Sequence, residues 1–346
     1  MLKHLHFLPA GAIVALTGCQ DSFSVVCTSE ARPSVSVFVR DNATDELIAS
    51  GAMLVLRDGE FVDTAFFPAG EPQANAYALS TPRSMERAGV YTVTVQRLGY
   101  VEWERRGVVV TEDRCHVNTV MLNARLTEEP PRILVFSRTM TFRHASIPAG
   151  QEAIRALGVS EGFDVETSED PSVFTADNLR RYGAVVFLNT TGDVLDASQE
   201  AAFEYFISAG GGFIGVHAAS DTEYDWPFYG ALLGAYFKSH PAIQTATLQR
   251  TAVVHASTTA LPASFSRTDE WYDFQSLPAP HISVLLTIDE TTYTGGMMGA
   301  PHPIAWSHAF SGGRAWYTAM GHTAEAYSEP LFVAHLAAGI KWAASY

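Results

Sequence analysis

The sequence predicts two folded units: an N-terminal all-β sandwich over residues 34–125, and an α/β, doubly wound sheet over residues 132–346. Three observations carry this reading. The 346 residues are enough for two domains. Apolar residues make up 47% and charged residues 17%, a composition that closes packed cores. The hydrophobic pattern also changes at residue 132, from short alternating runs to continuous apolar runs separated by helical stretches.

Residues 1–18 read as a secretory signal peptide. Lys3 precedes an apolar run from Leu5 to Leu16, which is too short to span a bilayer comfortably. The ending Leu16-Thr17-Gly18-Cys19 resembles the bacterial lipobox. That resemblance implies lipidation of Cys19 and an exported, membrane-anchored lipoprotein, with residues 19–33 as its tether. Gln20 follows the Cys where an Asp would retain the chain at the inner membrane. The expected place is the periplasmic face of the outer membrane or the cell surface. In an oxidising compartment Cys27 and Cys115 form an even pair at the two ends of the β region, so a disulfide is expected. Closing so long a loop is credited with about 4–5 kcal/mol in chain-entropy models.

The β region begins with VSVFVRD (35–41). MLVLRDGEFVDTAFF (53–67) reads as a hairpin about Asp58-Gly59. VYTVTVQRLGYV (90–101), VVVTED (108–113) and VNTVMLNARL (117–126) continue it. Gly89–Val93, Leu98-Gly99-Tyr100 and Gly107–Val110 resemble carboxypeptidase-regulatory-like domains, implying a spacer or attachment module. LTEEPPR (126–132) supplies a stiff, polar connector.

RILVFS (132–137) then reads as a strand buried on both faces. A helix near 147–158, FDVETS (163–168), a helix near 175–182 and AVVFLNTT (184–191) follow. Asp196 with Gln199 forms a capping box for the next helix, and GGGFIGVHA (210–218) is the fourth strand. This βαβ order demands a parallel sheet. Runs at 245–255, 282–288, 303–310 and 314–320 add strands, the last two joined at Ser311-Gly312-Gly313. Ser328 is expected to cap a closing helix, 329–344.

Charge and cysteine usage exclude several functions. Lys plus Arg number 22 against 37 Asp plus Glu, a net charge of −15 that disfavours nucleic acid. No Cys follows Cys115, which excludes a cysteine nucleophile or thiolate metal site in the α/β region. Of the 12 His, nine lie there. Ligands in such sheets bind beyond the carboxyl ends of the strands. His144 follows the first strand, Asn189 the third, His217 the fourth and His322 the last, while His302 starts an antiparallel neighbour at the same rim. His255, His281, His308 and His335 read as structural.

Gly215-Val216-His217-Ala218-Ala219 has the spacing of a nucleophile elbow, the turn where class I glutamine amidotransferases carry Cys. The blocks 210–241, DEWYDF (269–274) and 302–343 closely resemble the ThuA-like, trehalose-utilisation family. The resemblance implies a flavodoxin-type, amidotransferase-like fold without glutaminase chemistry and a link to sugar use. His144, His217 and His322, with His240 and His302 as further candidates, suit a divalent metal such as Zn²⁺. His217, His322, Asp221 and Glu270 equally suit acid–base catalysis without metal. Trp226, Trp271, Tyr224 and Asn189 are candidate sugar contacts. The expectation is therefore a lipoprotein that acts on a sugar or oxidised sugar by isomerisation or C–O cleavage. The alternative is a non-catalytic carbohydrate-binding or scaffold lipoprotein.

Overall fold

Alternating burial builds the first strands of the computed structural model, which describes residues 26–70 and 78–345. The expected signal segment and Cys19 lie outside those residues. In β1 (Val35–Asp41), Val35, Val37 and Val39 are fully buried. β2 (Ala52–Asp58) and β3 (Phe61–Phe66) form the expected hairpin. β4 (Gly89–Arg97) and β5 (Trp103–Val110) follow, then β6 (Val120–Leu126). The order β3-β2-β4-β5 makes an antiparallel sheet, and β1 pairs with β6. The inner residues of these strands share one apolar cluster, which ends at Leu126. Cys27 and Cys115 are joined, with Cα atoms 5.2 Å apart.

Two details depart from the sequence reading. The run 90–101 is not one strand: the chain turns at residues 98–102, with Gly99 at φ +75°, and returns as β5. β1 and β6 also run parallel. Alternation fixes which side chains face the core, but not which strand is the neighbour or in which direction it runs.

From Arg132 the order is β7 (Arg132–Phe136), α1 (Ile147–Glu161), β8 (Asp164–Ser168), α2 (Ala176–Leu179), β9 (Ala184–Leu188), α3 (Ala197–Ser208) and β10 (Gly212–Val216). Next come α4 (Pro227–Leu233), β11 (Phe237–Ser239), β12 (Gln244–Arg250), β13 (Ser264–Asp269) and β14 (Asp273–Phe274). β15 (Ser283–Asp289), β16 (Pro303–Phe310), β17 (Gly313–Thr318) and α5 (Pro330–Ala344) complete the chain. One nine-stranded sheet has the order β13-β12-β15-β16-β17-β10-β9-β7-β8. The five strands from β17 to β8 are parallel, and the other four alternate in direction.

Helices cover both faces of the parallel strands. A Cβ on Gly212 would strike the α5 backbone at Ala343, whereas the next residue, Phe213, packs on Phe203 of α3 and Tyr229 of α4. Successive strand residues point to opposite faces, so α5 lies on one and α3 and α4 on the other. Asp196 caps α3 in the expected box with Gln199. Ser328 does not cap α5: its hydroxyl donates to Glu325 O, and Glu329 takes the N-cap position with its carboxylate on Arg267. β13 went unnoticed in the sequence because ASFSRTD is polar; it is an edge strand with only Arg267 and Asp269 buried.

Candidate functional site

The carboxyl ends of the parallel strands bring three imidazoles together. His144 ends the loop after β7, His217 follows β10 directly, and His322 lies on the turn after β17. Glu270 joins them from the end of β13. One ligand atom from each of the four lies within 4.8 Å of the others. His144, His217 and Glu270 are buried, and the His322 side chain is 20% exposed.

His217 sits at φ +49°, in the left-handed region. For a residue other than glycine this costs about 1–3 kcal/mol and needs firm support. Gly215 provides part of it: a Cβ there would lie 2.9 Å from the Tyr317 ring, so only glycine lets the elbow seat against β17. The Tyr317 hydroxyl donates to His217 O, and Tyr272 lies over the imidazole at 4.1 Å. His217 Nδ1–H donates to Ala319 O at 2.7 Å. A carbonyl only accepts, so Nδ1 carries a proton, and in the neutral ring Nε2 is the nitrogen that presents a lone pair to the cluster. That Nε2 lies 3.1 Å from His322 Nδ1 and 3.5 Å from Glu270 Oε2. His322 Nδ1 is also 3.0 Å from Glu270 Oε2.

His144 completes the group edge-on, its ring 4.9 Å from His217 and 5.0 Å from His322. Its Nδ1 is buried without a hydrogen-bond partner. Burial first, then the neighbouring His217 and His322, holds the imidazole down to about 3, so it is neutral near pH 7. Glu270 has the opposite balance. Burial pushes its carboxyl up, but hydrogen bonds and charge from His217 and His322 outweigh this and hold it well below the usual carboxylate range. Three imidazoles and one buried carboxylate are a donor set for a divalent transition metal, which would be bound through the unprotonated ring nitrogens. A buried ring nitrogen without a partner fits such an ion, because coordination would meet the otherwise unmet lone pair.

The other sequence candidates fall in different places. His240 is at the mouth, 44% exposed, with Nδ1 3.0 Å from Glu270 Oε1. Asp221 accepts from the Tyr224 hydroxyl at 2.7 Å, and burial raises its carboxyl against that bond. Tyr224 stacks on Tyr236 and is 42% exposed. Trp226 packs against Phe203 and donates to Glu204, and Trp271 is fully buried with its indole N–H on Gln244 O. Both indoles serve the core and lie outside the four-residue cluster. His302 lies apart, in a second group with Glu290 and Asp273. Asn189 is buried, and its amide N–H groups face Ser146 Oγ at 3.0 Å and Gly321 O at 3.3 Å, tying the His144 loop to the His322 turn.

Asp269 is a further functional residue that the sequence pattern does not single out. It is fully buried and accepts N–H groups from Glu270, Gly321 and His322. A clue was available: the adjacent carboxylates Asp269-Glu270 open the DEWYDF block, and two neighbouring buried acids need separate partners. A cleft of about 550 Å³ lies at the other edge of the parallel strands, lined by Arg97, Arg132, Arg181 and Arg314. Arg97 and Arg314 donate to Ser50 O and Trp342 O there, and Arg181 pairs with Glu166. These are structural ties, so the chemistry is assigned to the opposite rim.

The sequence model of the trehalose-utilisation family, ThuA, matches residues 132–343. A solved ThuA-like protein from Bacteroides uniformis is 24% identical at a TM-score of 0.54, over 62% of this chain and 92% of that one. Another, from Parabacteroides merdae, is 21% identical at a TM-score of 0.54, over 63% and 91%. These likenesses are of fold. No curated protein matches the chain. The family match runs from β7 into α5 and takes in His144, His217, Glu270 and His322: the chain belongs to the ThuA trehalose-utilisation family.

Proposed function

We propose that this chain is a carbohydrate-directed enzyme in which His144, His217, His322 and Glu270 hold one divalent transition-metal ion such as Zn²⁺. The reaction would be isomerisation or C–O cleavage of a sugar or oxidised sugar. The observation that carries the reading is the buried set of three imidazoles and one carboxylate with mutually close ligand atoms. The family's tie to trehalose use supports a saccharide as substrate.

When bound, the ion would polarise a sugar carbonyl or hydroxyl oxygen and acidify a coordinated water. The protein's own groups have distinct parts. Ala319 O fixes the His217 tautomer, so that Nε2 is a ligand. Glu270 supplies the negative charge, and its Oε1 faces His240 at the mouth, where a proton can pass to solvent. His322 and His240 are the more exposed members, so substrate approaches from their side. The reading excludes cysteine-dependent glutaminase chemistry, because residues 116–346 contain no Cys to serve as its nucleophile.

The test is metal analysis of purified protein and Zn²⁺ titration of the chelator-treated form, followed by a screen of disaccharides and oxidised sugars. One ion per chain and metal-dependent turnover are expected. A second reading is favoured by the closeness of His322 Nδ1 to both Glu270 Oε2, at 3.0 Å, and His217 Nε2, at 3.1 Å: acid–base catalysis without metal. Activity that survives chelation, with a pH–rate step near about 6–7, would select it. Saccharide binding without turnover would select a non-catalytic lectin-like role.

In the same proposal the chain is exported and anchored through a lipid on Cys19, and residues 34–125 are a β-sandwich module that spaces the α/β region from the membrane. The sequence ending at Cys19 and the Cys27–Cys115 bond, suited to an oxidising compartment, support this. Mass spectrometry of membrane fractions should find an acylated N-terminal Cys. A soluble mature form that starts elsewhere would contradict it.

A further inference from the structure

Asp269 stands outside the four candidate ligands yet touches the backbone of two of them. Its Oδ1 accepts the amide N–H of Glu270 at 3.0 Å and of His322 at 3.1 Å. Its Oδ2 accepts the Gly321 N–H at 2.9 Å and pairs with Arg267 Nη2 at 3.0 Å. One buried carboxylate thus grips two segments that arrive separately, the end of β13 and the turn after β17. Three strands lie between β13 and β17 in the sheet, so no ladder hydrogen bond aligns their ends.

The arrangement follows from strand geometry. Arg267 and Asp269 are two residues apart in β13, so both side chains point to the same face. Arg267 is buried, and its guanidinium also pairs with Glu329 at 3.1 Å and lies 4.9 Å over the Phe332 ring. Glu329 is the N-cap residue of α5. A charged line therefore runs from the α5 N-terminus through Arg267 to Asp269, and then by N–H bonds to Glu270 and His322. The guanidinium balances Asp269, which lets a second carboxylate, Glu270, remain ionised next to it.

We infer that Asp269 is the positioning residue of this centre: it sets the separation of Glu270 from His322 and so the affinity of the site for its ion. The inference rests on the metal reading above, but it makes a separate claim about geometry. Partners that orient metal ligands typically change affinity about 10–100-fold when removed.

The test compares full-length wild type, Asp269→Ala, Asp269→Asn and Ile340→Ala. Ile340 is a fully buried residue of α5 and serves as a control for general destabilisation. Two properties are read at a temperature where all four are folded: the Zn²⁺ dissociation constant, and the rate at which diethyl pyrocarbonate modifies His217 and His322, measured on metal-free protein by mass spectrometry. Asp269→Ala is expected to bind Zn²⁺ about 10–100-fold more weakly and to carbethoxylate faster at both His. Asp269→Asn keeps one acceptor oxygen and should fall between, and Ile340→Ala should match wild type in both. If wild type binds Zn²⁺ and Asp269→Ala matches it in affinity and modification rate, the inference is overturned and the metal reading stands. If wild type binds no Zn²⁺ while Asp269→Ala still exposes the two His, the metal reading fails and the positioning role holds. An Ile340→Ala protein altered as much as Asp269→Ala would reduce Asp269 to general stability and overturn the inference.

Discussion

Two groups of His and acid lie in the α/β region, and they differ in what remains unmet. In the group of Asp273, Glu290 and His302, the imidazole has a partner at each nitrogen: Glu290 Oε1 at 2.8 Å and Tyr272 O at 2.9 Å. Glu290 Oε1 also accepts from Met298 N and Gly299 N, and Asp273 Oδ1 accepts from Met297 N. These bonds pin the 297–299 loop, and the group is closed. In the group of His144, His217, Glu270 and His322, the buried His144 Nδ1 has no hydrogen-bond partner. Both groups are largely buried, but the first holds one His and two carboxylates and the second three His and one carboxylate. Backbone donors complete the carboxylates of the first group, whereas the second keeps a buried ring nitrogen without a hydrogen-bond partner.

The largest expected effect breaks the symmetry between the groups. His217→Ala should abolish Zn²⁺ binding, seen by titration, with the far-UV circular dichroism unchanged. His302→Gln should leave the Zn²⁺ affinity within about 2-fold but lower stability by about 1–3 kcal/mol in urea, because Tyr272 O and Glu290 lose a buried partner. The reverse pattern would put the centre in the other group.

A second contrast is between the two halves of the chain. Removing the Cys27–Cys115 bond by Ser substitution should lower stability by about 2–5 kcal/mol and leave Zn²⁺ affinity unchanged. An affinity loss would mean that the N-terminal strands help shape the site.

pH sharpens the picture for the metal-free protein. Burial holds His144 and His335 down to about 3 and His255 to about 4. The unfolded chain protonates such groups near 6.5, so between these values it binds more protons than the native state. Stability should thus be full above about pH 6.5 and fall as pH drops toward 4. The depressed carboxyl of Glu270 acts in the same direction below its usual range. Denaturant melts at pH 7 and pH 5 check this, and equal midpoints would contradict it. The smallest effect is expected from His240→Ala, a change of a few-fold in Zn²⁺ affinity, because that ring is 44% exposed and sits at the mouth.

The sequence brought His144, His217 and His322 to one rim because strand ends are readable from apolar runs, and the parallel order collects those ends. It put His302 at the same rim but gave no sign that Glu290 and Asp273 would draw it into a separate group, because neither the two-residue strand of Asp273 nor the short turn of Glu290 carries periodicity. Trp226 and Trp271 read as pocket aromatics, since a core indole and a lining indole have the same composition. Their N–H partners, Glu204 and Gln244 O, appear only in three dimensions. Asp269 was hidden for the same reason as β13: an edge strand in a polar stretch carries little hydrophobic signal. The parallel pairing of β1 with β6 was hidden because alternation has no direction.

The most direct test of an open centre beside a closed one is calorimetric Zn²⁺ titration of chelator-treated wild type, His217→Ala and His302→Gln. One saturable ion per chain is expected in wild type and in His302→Gln, and none in His217→Ala. No saturable binding in wild type, or unchanged binding in His217→Ala, would contradict it.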